Sequence, residues 1–205
     1  MQLPTSEKQS QKDTSRIEAF SDGIFCVAIT LLAIEIGVEA KSADTNQSLL
    51  NDLIQLWPKY LAYFISFVNV LLAWIGHHSI FKRILKTDNY VMLSNGLLLM
   101  LVALVPFPTK TLGLFLLTGA FKTAVVFYTG YFVLVSIAFR MLWHAASRKK
   151  EFLVHHVTTI EIKNITRNEN IGLISNCLIM LVSFISPWVA LALSFIMWVY
   201  WIAFV

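Results

Sequence analysis

The stretch Arg16 to Ile36, RIEAFSDGIFCVAITLLAIEI, restricts this chain more than any other. After Asp22 it runs 12 residues without a charge, up to Glu35, and Thr30 is the main polar interruption. Read as a helix it is about 20 residues and ~30 Å long, enough to cross a bilayer. A carboxylate carried into such a helix is expensive and needs a partner. Asp22 therefore marks the place where a functional or structural polar site is expected.

The remaining sequence repeats the pattern of long apolar blocks. Of the 205 residues, 57% are hydrophobic and 14% charged, whereas a soluble domain is about half apolar and a quarter charged. The excess sits in blocks too long for a soluble core, so a polytopic membrane protein is expected. The net charge of +4 falls in short loops between these blocks and is no sign of nucleic acid. Cys26 and Cys177 both lie in apolar segments, so a disulfide framework is not expected. The polar N-terminus lacks a small-residue cleavage site after the first apolar run, so that run is read as retained.

In chain order, residues 1–15 read as a polar arm, with Asp13, Thr14 and Ser15 as candidate N-caps for the first helix. That helix ends near Gly37, and an acidic loop through Glu39, Asp44 and Asp52 follows. Further spans are expected over 53–81, over 90–105 (cut off by Pro106 and Pro108), and over 113–140. The last two, 171–185 and 187–205, form a tight hairpin at Ser186-Pro187. The total is six spans. Lys82, Arg83 and Lys86, with Arg148, Lys149, Lys150, Lys163 and Arg167, fall in two loops on one side. The positive-inside rule puts those loops and both termini in the cytoplasm. No internal repeat is visible.

Polar residues on three spans fall at one depth. Asp22 is six residues in from Arg16, ~9 Å along the helix. His77 and His78 precede Lys82 by four to five residues, and Ser94 and Asn95 follow Asp88 by six to seven. A shared hydrogen-bond network is expected there, either as a structural clamp or as a proton relay on Asp22 and His77. Arg16 and Asp22 are ~120° apart on their helix and should reach different neighbours. Adjacent histidines point ~100° apart, which does not favour a metal site, and no catalytic motif or phosphate-binding loop is present. No enzyme and no metal or cofactor is expected.

On the first helix, Val27, Leu31 and Ile34 lie within ~60° of arc, extended by Phe20 and Gly23 and flanked by Thr30. Asp22 points ~140° away. Such a stripe is ordinary core or lipid contact, or it lines a narrow pore that gates by dewetting. Glu35 and Glu39 lie at the outer end, where they either solvate the helix end or, if copies of the helix meet around a path, form an acidic ring at its mouth.

Arg16-x-x-x-Phe20-Ser21-Asp22 resembles the signature of the transmembrane protein 175 family of potassium channels. Trp74-Ile75-Gly76-His77-His78 is similar to a second pattern of that family, and the length and six-span layout match a prokaryotic member. The resemblance covers essentially the whole chain. It implies a homotetramer whose first helices surround the pore, without a Thr-Val-Gly-Tyr-Gly filter. It further implies Val27, Leu31 and Ile34 as the constriction and Thr30 at a selectivity-associated hydroxyl position. Arg16, Phe20, Ser21 and Asp22, with Trp74, His77, His78, Ser94 and Asn95, then form a structural polar network. Val27 is smaller than the family's isoleucine or leucine, which implies a wider pore and a weaker potassium preference.

The reading is an all-α integral membrane protein: a cytoplasmic polar arm over 1–15 and one six-helix channel domain over 16–205. Helix one lines the central pore of a homotetramer in the cell membrane. The expected function is moderately potassium-selective conduction of monovalent cations, with potassium as permeant ion rather than cofactor. A proton-coupled transporter using Asp22 and the span-two histidines is the alternative, and a non-conducting scaffold a third reading.

Overall fold

A computed structural model describes residues 5–37, 46–155 and 157–204. These fold into eight α-helices: α1 (Thr5–Ile34), α2 (Asn46–Gln55), α3 (Trp57–Phe81), α4 (Asn89–Ala103), α5 (Pro106–Phe115), α6 (Phe121–Ser147), α7 (Thr159–Ser183) and α8 (Pro187–Phe204). A 3₁₀ turn, Lys150–Phe152, lies between α6 and α7. Among the described residues, four stretches are long and apolar enough to cross a membrane: Thr14–Ile34, Trp57–Phe81, Asn89–Phe115 and Phe121–Ser147. α8 is apolar but only 18 residues long, and α7 is polar in its first half.

Several boundaries differ from the sequence expectation, each for a local reason. The third span does not stop at Pro106. Val105 N–H takes the Val102 carbonyl at 3.2 Å, and α5 restarts with Pro106 in its first turn, where a missing N–H costs nothing. The helix is jogged rather than ended, and Gly113 belongs to α5 instead of opening the next span. A Cβ on Gly113 would come within 3.2 Å of the Lys59 Cα, so the glycine lets α5 approach the α3 backbone. The helix of the fifth span begins 12 residues before 171, because Thr158 and Glu161 form a capping box. Thr158 Oγ1 accepts from the Glu161 N–H at 3.2 Å, and Glu161 Oε2 accepts from the Thr158 N–H at 2.8 Å. At the other end of the chain, α1 is helical from Thr5, through the stretch expected to be an irregular arm. Thr14 is not a cap. It is buried inside α1, and its hydroxyl donates to the Leu85 carbonyl at 3.2 Å.

The packing has α6 at its centre, against α4, α5, α7 and α8, while α1 lies on α3 and α4. Leu142, Trp143 and Ala146 of α6 join Phe25, Ala28, Leu32, Val91 and Leu98 in one core cluster. Val125 and Tyr128 join Ala62, Ile65, Leu112 and Trp198 in a second. Beneath the first cluster the two basic loops are stitched together, with Leu85 N–H and Lys86 N–H donating to the Phe152 carbonyl at 2.7 and 3.2 Å.

Asp88 caps α4 beside this stitch. Its Oδ1 accepts from the Tyr90 and Val91 N–H groups at 3.1 Å each, and Oδ2 pairs with Arg148. Desolvation pulls the carboxyl pKa upward, but the Val91 N–H, the Arg148 charge and the Tyr90 N–H outweigh it. The net effect holds Asp88 below the ordinary carboxylate range. A depressed folded pKa means that the stabilisation is present above the unfolded value of about 3.9 and is lost as pH falls through the folded one. Thermal melts of Asp88→Asn should therefore fall below wild type at pH 7 and converge with it towards pH 3. Parallel melts across that window would refute the linkage.

Candidate functional site

The helical period places Ser21 and Asp22 of α1 towards different neighbours. Ser21 is fully buried and faces α4. Asn95 Nδ2 donates to Ser21 Oγ at 3.0 Å, and Ser21 in turn donates to the Ile17 carbonyl at 2.8 Å. Because Asn95 uses its amide nitrogen on Ser21, its Oδ1 accepts from His77 Nε2–H at 3.0 Å. This chain of donors sets the tautomer of His77 and leaves its Nδ1 without a partner, the one such buried side-chain atom among the described residues. The imidazole is wedged between Phe25 and Phe81, with ring centroids 5.3 and 4.4 Å away. Three helices thus meet through one serine, one asparagine and one histidine.

Asp22 turns to α3 instead, where its Oδ1 accepts from Trp74 Nε1–H at 2.9 Å. The indole is stacked on His78 at an 11° interplanar angle, and His78 Nδ1 meets Glu18 Oε1 at 2.7 Å. An indole only donates, so this bond cannot pass a proton onward. No hydrogen bond joins Asp22 to His77. Asp22 and His77 thus bond to different partners, Asp22 to Trp74 and His77 to Asn95.

Not every residue expected in the network enters it. Arg16 is exposed, and Ser94 is half-buried beside Asn95 without joining the bonds above. Phe20, 65% exposed, lies on the opposite face of α1. Glu18, conversely, is part of the site and escaped the sequence reading. Its position four residues before Asp22 puts it on the same helical face, which was the available signal. A second buried cluster was also missed. Thr109 Oγ1 reaches Ser66 Oγ at 2.6 Å, Ser66 Oγ lies 2.9 Å from Tyr128 Oη, and Trp198 Nε1 donates to Asn69 Oδ1 at 2.9 Å.

The other face of α1 has no cover. Val27, Leu31 and Ile34 are 55%, 40% and 72% exposed, while Phe25 and Leu32 behind them are 1% and 0% exposed. Thr30 lies on the same open side and donates its hydroxyl proton to the Val27 carbonyl at 2.9 Å, leaving the oxygen lone pairs outward. At the end of the stripe Glu35 pairs with Lys110 of α5 at 2.9 Å, so its charge is partly offset within the subunit. Glu39, the other residue expected at the mouth, lies outside the described residues.

An all-helical, multi-pass membrane protein with its first helix clamped on one side and bare on the other is the class defined by fold and site. A family profile described as endosomal/lysosomal potassium channel TMEM175 matches residues 16–106. A potassium channel of Chamaesiphon minutus is 38% identical over 194 residues, covering 95% of this chain and 96% of that one. The crystal structure of a lysosomal potassium-selective channel TMEM175 homolog from the same organism matches with a TM-score of 0.84 at 38% identity, over 94% of this chain and 98% of that one. The human endosomal/lysosomal proton channel TMEM175 is 38% identical over 98 residues, 44% of this chain and 19% of the human protein. The chain belongs to the TMEM175 family, a family of ion channels rather than enzymes.

Proposed function

We propose that this chain forms a homotetrameric, moderately potassium-selective channel in the cell membrane, with six spans per subunit and both termini in the cytoplasm. Four copies of α1 line the pore, Val27, Leu31 and Ile34 constrict it, and Thr30 contributes to selectivity. Potassium is the permeant ion, and no resident cofactor is required. The observation that carries this reading is the contrast across α1: a continuous stripe of exposed branched aliphatics backed by fully buried Phe25 and Leu32. A helix held so firmly behind and bare in front supports packing around an axis, and the named channels among its relatives support conduction along it.

Purified protein in planar bilayers under a potassium/sodium gradient tests the reading. Resolved current steps that reverse towards the potassium equilibrium potential are expected. Flux without resolvable steps would instead identify a transporter, and silence at full incorporation a scaffold. Repeating the recording under a pH gradient with potassium removed measures whether protons also pass.

The Glu35–Lys110 pair gives a narrower test. An exposed ion pair contributes little to stability, so breaking it should leave the fold intact. Lys110→Gln should free Glu35 and raise cation conductance at low salt, with the gain disappearing at molar salt through screening. The same fractional gain at both salt levels would rule out an electrostatic mouth.

A further inference from the structure

A partly open cavity of about 150 Å³ lies within one subunit, between α3, α6, α7 and α8. No residue of α1 lines it, so it is separate from the stripe described above. Glu169, Gly172, Leu173 and Asn176 of α7 face it at helical spacing, and Phe139, Trp198 and Trp201 supply aromatic walls. A Cβ on Gly172 would stand 3.1 Å from Trp201 Cζ2, so the glycine is what allows the indole to close this side.

The polar chemistry of the wall is unbalanced. Several lining donors are already committed: Trp198 Nε1 to Asn69, Asn176 Nδ2 to Ser136 Oγ at 2.7 Å, and Ser194 Oγ to the Ala190 carbonyl at 3.2 Å. Glu169 is half-buried, and no hydrogen bond reaches its carboxylate from any described residue. Arg140 acts on it through its charge, without an ion pair between the two, and its Nε donates to Asn170 Oδ1 at 2.8 Å. An unmatched carboxylate beside aromatic rings selects a ligand that carries both a positive donor and an apolar body. A cavity of this volume accepts a guest of about benzene size.

We propose that this cavity is a binding site for a small hydrophobic amine, with the ammonium on Glu169 and the apolar body against Phe139, Trp198 and Trp201. An acyl chain would fill the apolar part but leave the carboxylate unmatched, and a bare metal ion would leave the aromatic walls unused. The site does not depend on conduction, and its test does not measure it.

The test uses the purified full chain in nanodiscs and fluorine NMR with two probes of one shape: 4-fluorophenethylamine, protonated at neutral pH, and the uncharged 4-fluoropropylbenzene. Saturable binding of the amine is expected, and only non-saturable partitioning of the uncharged probe. Glu169→Gln keeps the shape of the wall and should weaken the amine about tenfold or more, the usual size of a lost charge-assisted contact. Equal saturable binding of both probes, no saturable binding of either, or an amine affinity within about twofold in Glu169→Gln would each overturn the proposal. Should Glu169→Gln fail to assemble, the comparison of the two probes on the wild-type chain decides alone.

Discussion

Leu31→Ser should produce a larger, leakier current with reduced potassium preference. In the proposed pore, four copies of Leu31 close the path by keeping it dry, and a hydroxyl supplies the hydrogen bonds that water lacks against an aliphatic wall. Each ~1.4 kcal/mol removed from such a barrier raises the rate of passage about tenfold. Ile34→Ser should act in the same direction, more weakly. Cysteine substitution along 23–36 with a water-soluble thiol reagent checks the geometry. It requires a Cys26→Ser background, since Cys26 is itself exposed. Block at 27, 31 and 34 is expected, with silence at Phe25 and Leu32, which are buried against α3 and α4. Block centred on 25 and 32 would mean that the helix presents its other face to the pore.

The second large effect is expected at Asn95. Asn95→Leu removes the acceptor of His77 Nε2–H and the donor to Ser21 Oγ together, at a position 2% exposed. A buried His77 N–H left unmatched, together with the loss of the bond that Ser21 Oγ accepts, costs about 2–4 kcal/mol. The yield of folded protein and its melting temperature should fall accordingly, while the surviving channels keep wild-type selectivity. Ser94→Ala, one residue away, should be nearly silent. In a double-mutant cycle with His77→Leu, the second substitution should cost much less than it does alone, because the partner is already gone. Strict additivity of the two, or a wild-type melt for Asn95→Leu, would show that the bonds contribute no stability.

The parts of this fold legible in the sequence are those where bilayer chemistry leaves one solution. Asp22 could not sit in a spanning helix unaccompanied, and counting depth from the flanking charges brought it level with His77 and Asn95. Three-dimensional pairing was less accessible. Depth says which groups can meet, but the helical rotation of three separate helices decides that Ser21, rather than Asp22, takes Asn95. Glu18 was passed over because charges near a span end look like simple interfacial residues. Hydropathy alone also misplaced the end of the third span, the start of the fourth and the start of α7. Pro106 was read as a stop, although a proline in the first turn of a new helix satisfies the same steric rule. Thr158 and Glu161 carried a capping signal that a search for apolar runs does not weigh. The Ser66–Tyr128–Asn69 cluster had little local signal, since Ser66 and Asn69 are two isolated polar side chains three residues apart in one apolar block and Tyr128 lies in another.

The hydrogen bonds that tie α1 to its neighbours are unevenly distributed along it. Thr14, Glu18, Ser21 and Asp22 all lie in the first half of its apolar stretch Thr14–Ile34, each bonded to another part of the subunit. Beyond Asp22 the helix rests on Phe25, Ala28 and Leu32, apolar contacts that resist separation but not sliding, until the exposed Glu35–Lys110 pair at its end. Mechanically this is a cantilever: bolted at one end, riding on a greased bearing along its length, and held at the tip by a weak spring. Small rotations about the bolts become larger excursions of the tip. The aliphatic stripe lies on the free arm.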